Sequence, residues 1–201
     1  KLLAADAVTT GYAVVAIAIL KKHGLEWKKD YQIKSFGNTG ARADAMTRGD
    51  ASGAMMSMPD ADIAKRGFKI LARSEDYVKN YARGLGATRR VWANANEELI
   101  VRFNRAMIRA TDWLQDKNNK DDAVQMLLGE TKGNKARAEA MYASTLSPTM
   151  GLTARSRIDM AGIRTVIELR EVAGLMKPGE FKAEKYVDER FYNKALASLG
   201  K

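Results

Sequence analysis

Three blocks of one pattern open the chain. In the first, apolar Leu2 and Leu3 give way to Asp6-Ala7-Val8-Thr9-Thr10-Gly11, and these lead into an apolar run from Tyr12 to Leu20. The pattern predicts a strand, a tight loop and a helix. Thr9 or Thr10 is the expected N-cap, its hydroxyl accepting from a first-turn amide, and Lys21, Lys22 and Gly24 close the helix. The second block alternates from Tyr31 to Phe36, turns at Gly37-Asn38-Thr39-Gly40 and continues as a helix from Ala41 to Arg48. The third predicts a strand over Ala51 to Met56, a junction at Ser57-Met58-Pro59-Asp60 and a short helix to Arg66. Phe68 to Ala72 then returns as a fourth strand. Strand–helix–strand alternation with short connections implies parallel pairing and right-handed crossovers. All three polar junctions then fall on one edge of the sheet, the edge where open α/β sheets bind ligands.

Past residue 72 the pattern changes. Arg73 to Arg83 is polar without a clear period, and Gly84-Leu85-Gly86-Ala87-Thr88 reads as a short strand loosened by glycine. Helical spacing then takes over. Arg89 to Ala93 predicts a single turn, and Asn94 or Asn96 caps a long helix from Glu97 to Leu114, with Glu97 and Glu98 at its positive end. Leu99, Phe103, Met107, Ala110 and Leu114 form an apolar stripe on it, opposite Arg102, Arg105, Arg109 and Asp112. Further helices are expected over Asp121 to Leu128, Asn134 to Ser144, Asp159 to Ala173 and Asp188 to Leu199. A loop falls at Ser147-Pro148-Thr149-Met150-Gly151 and a turn at Lys177-Pro178-Gly179. The predicted class is α/β, a parallel-rich sheet body followed by a mostly helical part.

Composition narrows the chemistry more than the fold. A chain of 201 residues fits one or two small domains and buries a substantial core. It contains no cysteine, which excludes disulfides and thiolate metal sites. Its single histidine, His23, argues against a histidine metal site or a catalytic triad, so neither a metal nor a cofactor is expected. The net charge of +10 invites a nucleic-acid reading. The basic residues are scattered among acids, however, without aromatic interleaving or a nucleic-acid motif, and a solvated basic surface is expected instead. The longest apolar run, Tyr12 to Leu20, is too short to span a bilayer. The chain starts at Lys1 in mid-strand and without Met, so it is expected to be a fragment lacking an upstream part.

The order of motifs resembles the periplasmic substrate-binding proteins of ABC importers, in the nitrate/sulfonate/taurine-like (NMT1/THI5-like) group. The residues that carry it are Asp6-Ala-Val-Thr-Thr-Gly-Tyr12, Gly37-Asn-Thr-Gly-Ala-Arg42 with Ala45, Met46 and Gly49, and Met56-Ser-Met-Pro59. Arg89 to Asn96, Arg157 to Gly162 and Tyr186-Val-Asp188 are similar too, so the likeness covers nearly the whole chain in order. The resemblance implies a type II periplasmic-binding-protein-like fold. A parallel-rich sheet lobe would be followed by a mostly helical C-terminal part of a second lobe. Residues 1–72 would be the α/β ligand-binding lobe two, 73–88 the hinge crossing, and 89–201 the mainly helical remainder of lobe one. It further implies a small anionic or polar organic solute (sulfonate, nitrate, carboxylate or pyrimidine-like) captured between lobes and passed to a membrane permease. The location would be periplasmic, or extracytoplasmic on a lipid anchor. A fragment of such a protein would self-associate or retain its missing N-terminal segment.

The site residues that follow are Thr9, Thr10, Gly11 and Tyr12 at the first junction, Asn38 and Thr39 at the second, and Ser57 and Met58 at the third. Each also has a plainer role as a helix cap or a packing residue, and convergence of the set is what favours a ligand. Asp6 reads as a turn residue rather than a catalytic acid, since no partner base is visible. His23 suits a helix C-terminus, and Trp92 and Trp113 read as core. Three function classes fit the pattern. The favoured one is a solute-binding protein and not an enzyme. The others are a ligand-sensing domain of a transcription regulator and a pyrimidine-processing enzyme on a similar fold, and upstream sequence would separate them.

Overall fold

A computed structural model describes residues 1–148 and 151–200. Thr149 and Met150, in the expected Ser147–Gly151 loop, and Lys201 lie outside the described residues. The protein is α/β, and it divides into two compact units. One comprises Lys1–Arg83 with Ala161–Ala183, the other Gly84–Met160 with Glu184–Lys201.

The first unit is built on three strands, β1 (Leu2–Ala5), β2 (Gln32–Ser35) and β3 (Gly53–Ala54), in the order β2-β1-β3 with both pairs parallel. Helix α1 (Gly11–Lys22) connects β1 to β2, and α2 (Thr39–Thr47) carries the chain from β2 across β1 to β3. Side chains alternate faces along a strand. Ala4 packs with Ala45, Ala51 and Met46 on the α2 side. Ile33, the register partner of neighbouring Leu3, packs with Val14 and Ile17 of α1. The two helices therefore cover opposite faces. Small Ala4 and Ala5, both fully buried, let the helices approach the central strand. Short α3 (Asp60–Lys65) and α4 (Ser74–Tyr77) follow.

Two features of this unit differ from expectation. The predicted fourth strand, Phe68 to Ala72, forms no ladder. Its neighbour would be β3, which pairs over only Gly53 and Ala54 before the chain turns toward Pro59, so the edge offers almost no register to extend. Leu71 is 85% exposed as a result. Second, helix α9 (Met160–Val172), expected in the helical remainder, packs in the first unit. Leu169, Ala173 and Leu175 close on Val14 and Ile17. This explains why α1 is buried continuously from Ala13 to Ile19 instead of along one stripe. The first unit runs to Arg83, and residues 161–183 return to it.

The second unit is helical, with α5 (Arg90–Ala95), α6 (Glu97–Gln115), α7 (Lys120–Glu130), α8 (Lys135–Thr145) and α10 (Arg190–Ala197). Gly84 to Thr88 makes no strand, since no partner strand exists in this unit among the described residues. Ile108 of α6 meets Tyr192 and Ala195 of α10, flanked by Val101 and Leu196. Ala123 and Val124 of α7 meet Ala138 and Tyr142 of α8, and the Tyr142 hydroxyl donates to the Leu114 carbonyl at 3.2 Å. The predicted apolar stripe of α6 is not the buried one. Leu99, Phe103 and Met107 are exposed, while the Val101–Ile108–Thr111 side is covered by α10 and by the turn at Ala154–Ser156. Trp92 and Trp113, expected in the core, are also exposed. Among the described residues no helix is long and apolar enough to cross a membrane.

Candidate functional site

In a parallel sheet every strand ends on the same edge. The order β2-β1-β3 also makes the gap between β1 and β3 the point where the chain's direction of winding reverses. The loops after β1 and β2 therefore emerge side by side at this edge, and the loop after β3 joins them.

The first junction differs from a capped helix start. Thr10 occupies the N-cap position with extended backbone, but its hydroxyl makes no cap. It turns back, to the Asp6 carboxylate and to the Ala7 carbonyl at 2.9 Å. A charged acceptor outcompetes a backbone amide for that contact. Among the described residues no acceptor is bonded to the amides of Gly11 or Tyr12, so the positive end of a twelve-residue helix stays open. Thr9 is exposed, and its carbonyl accepts from Arg170 Nη1 of α9 at 2.9 Å. Asp6 also accepts the Ser35 hydroxyl on its own carbonyl, tying the loops after β1 and β2 together. Gly11 leaves room for a neighbour: a Cβ there would collide with the Tyr81 hydroxyl, the tip of a side chain, and displace it. Burial holds that phenol above its ordinary pKa of 10.0, while the nearby Arg170 and Arg83 guanidiniums pull it down.

At the second junction Asn38 is a true N-cap, its Oδ1 accepting from the Ala41 amide at 3.0 Å. Thr39 begins α2, and its hydroxyl accepts from Arg42 Nη2 at 3.0 Å. Arg42, which stands in the second motif but outside the expected set of site residues, is the best-placed group at this edge. It is 1% exposed, donates through Nη1 to the Gly37 carbonyl, and lies 4.7 Å from the centroid of the Tyr12 ring. Its Nε–H is buried without a partner, and it forms no ion pair among the described residues. One guanidinium therefore ties the second junction to the first turn of α1. A cue was present in the sequence: a cation early in a helix opposes the dipole, and Arg42 sits there beside apolar Ala41, Ala43 and Ala45.

The third junction is of another kind. Ser57 is exposed and Met58 half-buried, and no hydrogen bond from Ser57 reaches the other two junctions among the described residues. Helix α3 has six residues and carries Asp60 and Asp62 in its first turn, which reverses the sign of its terminus. Arg73 pairs with Asp60. Elsewhere in this unit His23 is the C-cap of α1, 2.8 Å from the Tyr77 hydroxyl. The structure thus links Thr39 to Tyr12 through Arg42 and Thr10 to Ser35 through Asp6, keeps Asn38 as a cap beside them, and leaves Ser57 and Met58 apart. The arrangement supplies an amide pair, a hydroxyl and fixed positive charge; among the described residues no group of three or more His, Asp or Glu could hold a metal. No protein family model matches the chain, nor does any curated protein or solved structure.

Proposed function

We propose that the chain carries the solute-binding site of a periplasmic or lipid-anchored binding component of an ABC importer. The fold would be of the type II periplasmic-binding-protein kind, nitrate/sulfonate/taurine-like. The partner is a membrane permease, and the cargo is a small anionic or polar organic solute. The reading places the solute at the carboxyl edge of the sheet, over the open amides of Gly11 and Tyr12. What supports it most is the Arg42 bridge, since a fully buried cation without a counter-ion links two junctions where a plain structural loop requires none. Binding at such a site uses fixed donors and calls for no nucleophile, in keeping with a carrier that releases its cargo unchanged.

A thermal-shift panel of nitrate, alkyl and aryl sulfonates, carboxylates and pyrimidines tests this. A ligand at a hundred-fold excess over its Kd stabilises a protein by about 2.7 kcal/mol, or about 5–10 °C in Tm for a chain of this size. At least one class is expected to give a saturable shift of that order, lost in Thr10→Ala combined with Asn38→Ala. A panel in which no class shifts the melt overturns the proposal.

A further inference from the structure

Arg42 has an electrostatic property that capping does not explain. A guanidinium at 1% exposure normally faces a carboxylate, because an uncompensated charge in a low-dielectric interior is costly. Here its neighbours are the Gly37 carbonyl, the Thr39 hydroxyl and the face of Tyr12, all neutral, and its Nε–H has no partner. The nearest acid in the loop after β1, Asp6, is engaged by the Thr10 hydroxyl. The acids next along the chain are exposed, and Asp44 pairs with Arg66 instead. Arg170, which holds the Thr9 carbonyl, adds a second cation on the same side. The edge around the first turn of α1 thus carries positive charge from a helix terminus and two arginines, set against the single negative charge that Asp6 keeps while it accepts from Thr10.

We infer that Arg42 is the specificity-determining residue of this edge, making it select a solute that carries an oxyanion over a neutral molecule of the same shape. The inference rests on the solute-binding reading and narrows it, removing neutral pyrimidine-like ligands from the candidates. The guanidinium acts from beneath the seat, through its field, and need not touch the ligand. Arg42 is almost fully buried while Arg170 is half-buried, so solvent screens the field of Arg42 less. A unit charge about 6 Å away at an effective dielectric of about 20 changes affinity for a unit anion about hundred-fold. The terminus of α1 adds only about two- to five-fold.

Matched ligand pairs measure this directly. Calorimetry on the whole chain compares benzoate with benzamide and benzenesulfonate with benzenesulfonamide, for wild type, Arg42→Lys and Arg42→Met. Wild type is expected to favour each anion about hundred-fold. Arg42→Met should bring the ratio below about ten-fold, and Arg42→Lys should keep most of it, since the charge persists. A purely structural Arg42 would change both members of a pair alike and leave the ratio where it was; that result overturns the inference. Equal binding of both members by wild type also overturns it, while leaving solute binding intact. Binding of none of the four probes overturns the inference, while the solute-binding reading is decided separately by the thermal-shift panel. Should Arg42→Met fail to fold, as judged by its circular-dichroism melt, Arg42→Gln takes its place with the same expected loss of ratio.

Discussion

The Tyr81 hydroxyl lies where a Cβ on Gly11 would sit, so a larger residue at the start of α1 displaces the phenol. Gly11→Ala is expected to destabilise the protein by about 1 kcal/mol, the low end for forcing atoms into a packed site, since the displaced atom is the tip of a half-buried side chain. Tyr81→Phe in that background removes the colliding oxygen and should restore part of the loss, giving a non-additive double-mutant cycle in urea denaturation. Strict additivity would place Tyr81 elsewhere. Asp188 offers a second test at this scale. Hydrogen bonds from the Arg190 side chain, including Nη2 at 2.7 Å, hold its carboxyl below the ordinary 3.8; partial burial opposes them, and the Arg190 amide and the charges of Arg190 and Arg90 add to the lowering. A folded pKa below the unfolded one contributes stability that is present above the unfolded value and lost as pH falls through the folded value. Asp188→Asn should therefore lower stability at neutral pH, where the ionised carboxyl contributes, and flatten the further loss below about pH 4. Individual residue types at the junctions were readable in the sequence, but their partners were not. Thr10 has the sequence context of a cap, but the Asp6 carboxylate four residues earlier competes for its hydroxyl. Arg170 reaches Thr9 from 161 positions away, which no local pattern encodes.

Helices α1, α2 and α6 lie within a residue or two of where periodicity, glycine stops and asparagine caps put them. Parallel pairing of β1 with β2 and β3 also followed from the short alternating connections. Strand length did not, because Phe68 to Ala72 has strand composition but faces an edge only two residues long. Which face of α6 is buried was equally hidden. Both faces offer apolar residues, and tertiary contact with α10 decides in favour of Val101 and Ile108. Ile108→Ala should accordingly cost about 2–5 kcal/mol, as large-to-small changes in a closed core do. Phe103→Ser, at a position 56% exposed, should stay within about 0.5 kcal/mol. Chemical denaturation with a common m-value decides between the two faces, and the reverse ranking would mean that the predicted stripe is the buried one.

At the scale of the whole molecule, the first unit gathers its donors at one sheet edge from three stretches of sequence, the loops after β1 and β2 and the C-terminal half of α9. The edge itself was legible from the order of strands and helices. Its positive character was not, because it depends on a buried Arg42 and on the return of residues 161–183 to the first unit. The third junction, with Asp60 and Asp62 at its helix start, stands outside that charge pattern. The central claim is that a solute seats on the open first turn of α1 beside Arg42. An amide-resolved NMR titration of the chain with benzenesulfonate tests it most directly. The account predicts that the largest saturable shifts fall on the Gly11 and Tyr12 amides and on the Arg42 Nε–H, with smaller ones at Asn38 and Thr39. Shifts centred instead on the second unit, for example around Glu97 and Lys194, with the Gly11 and Tyr12 amides unmoved at saturation, would contradict it.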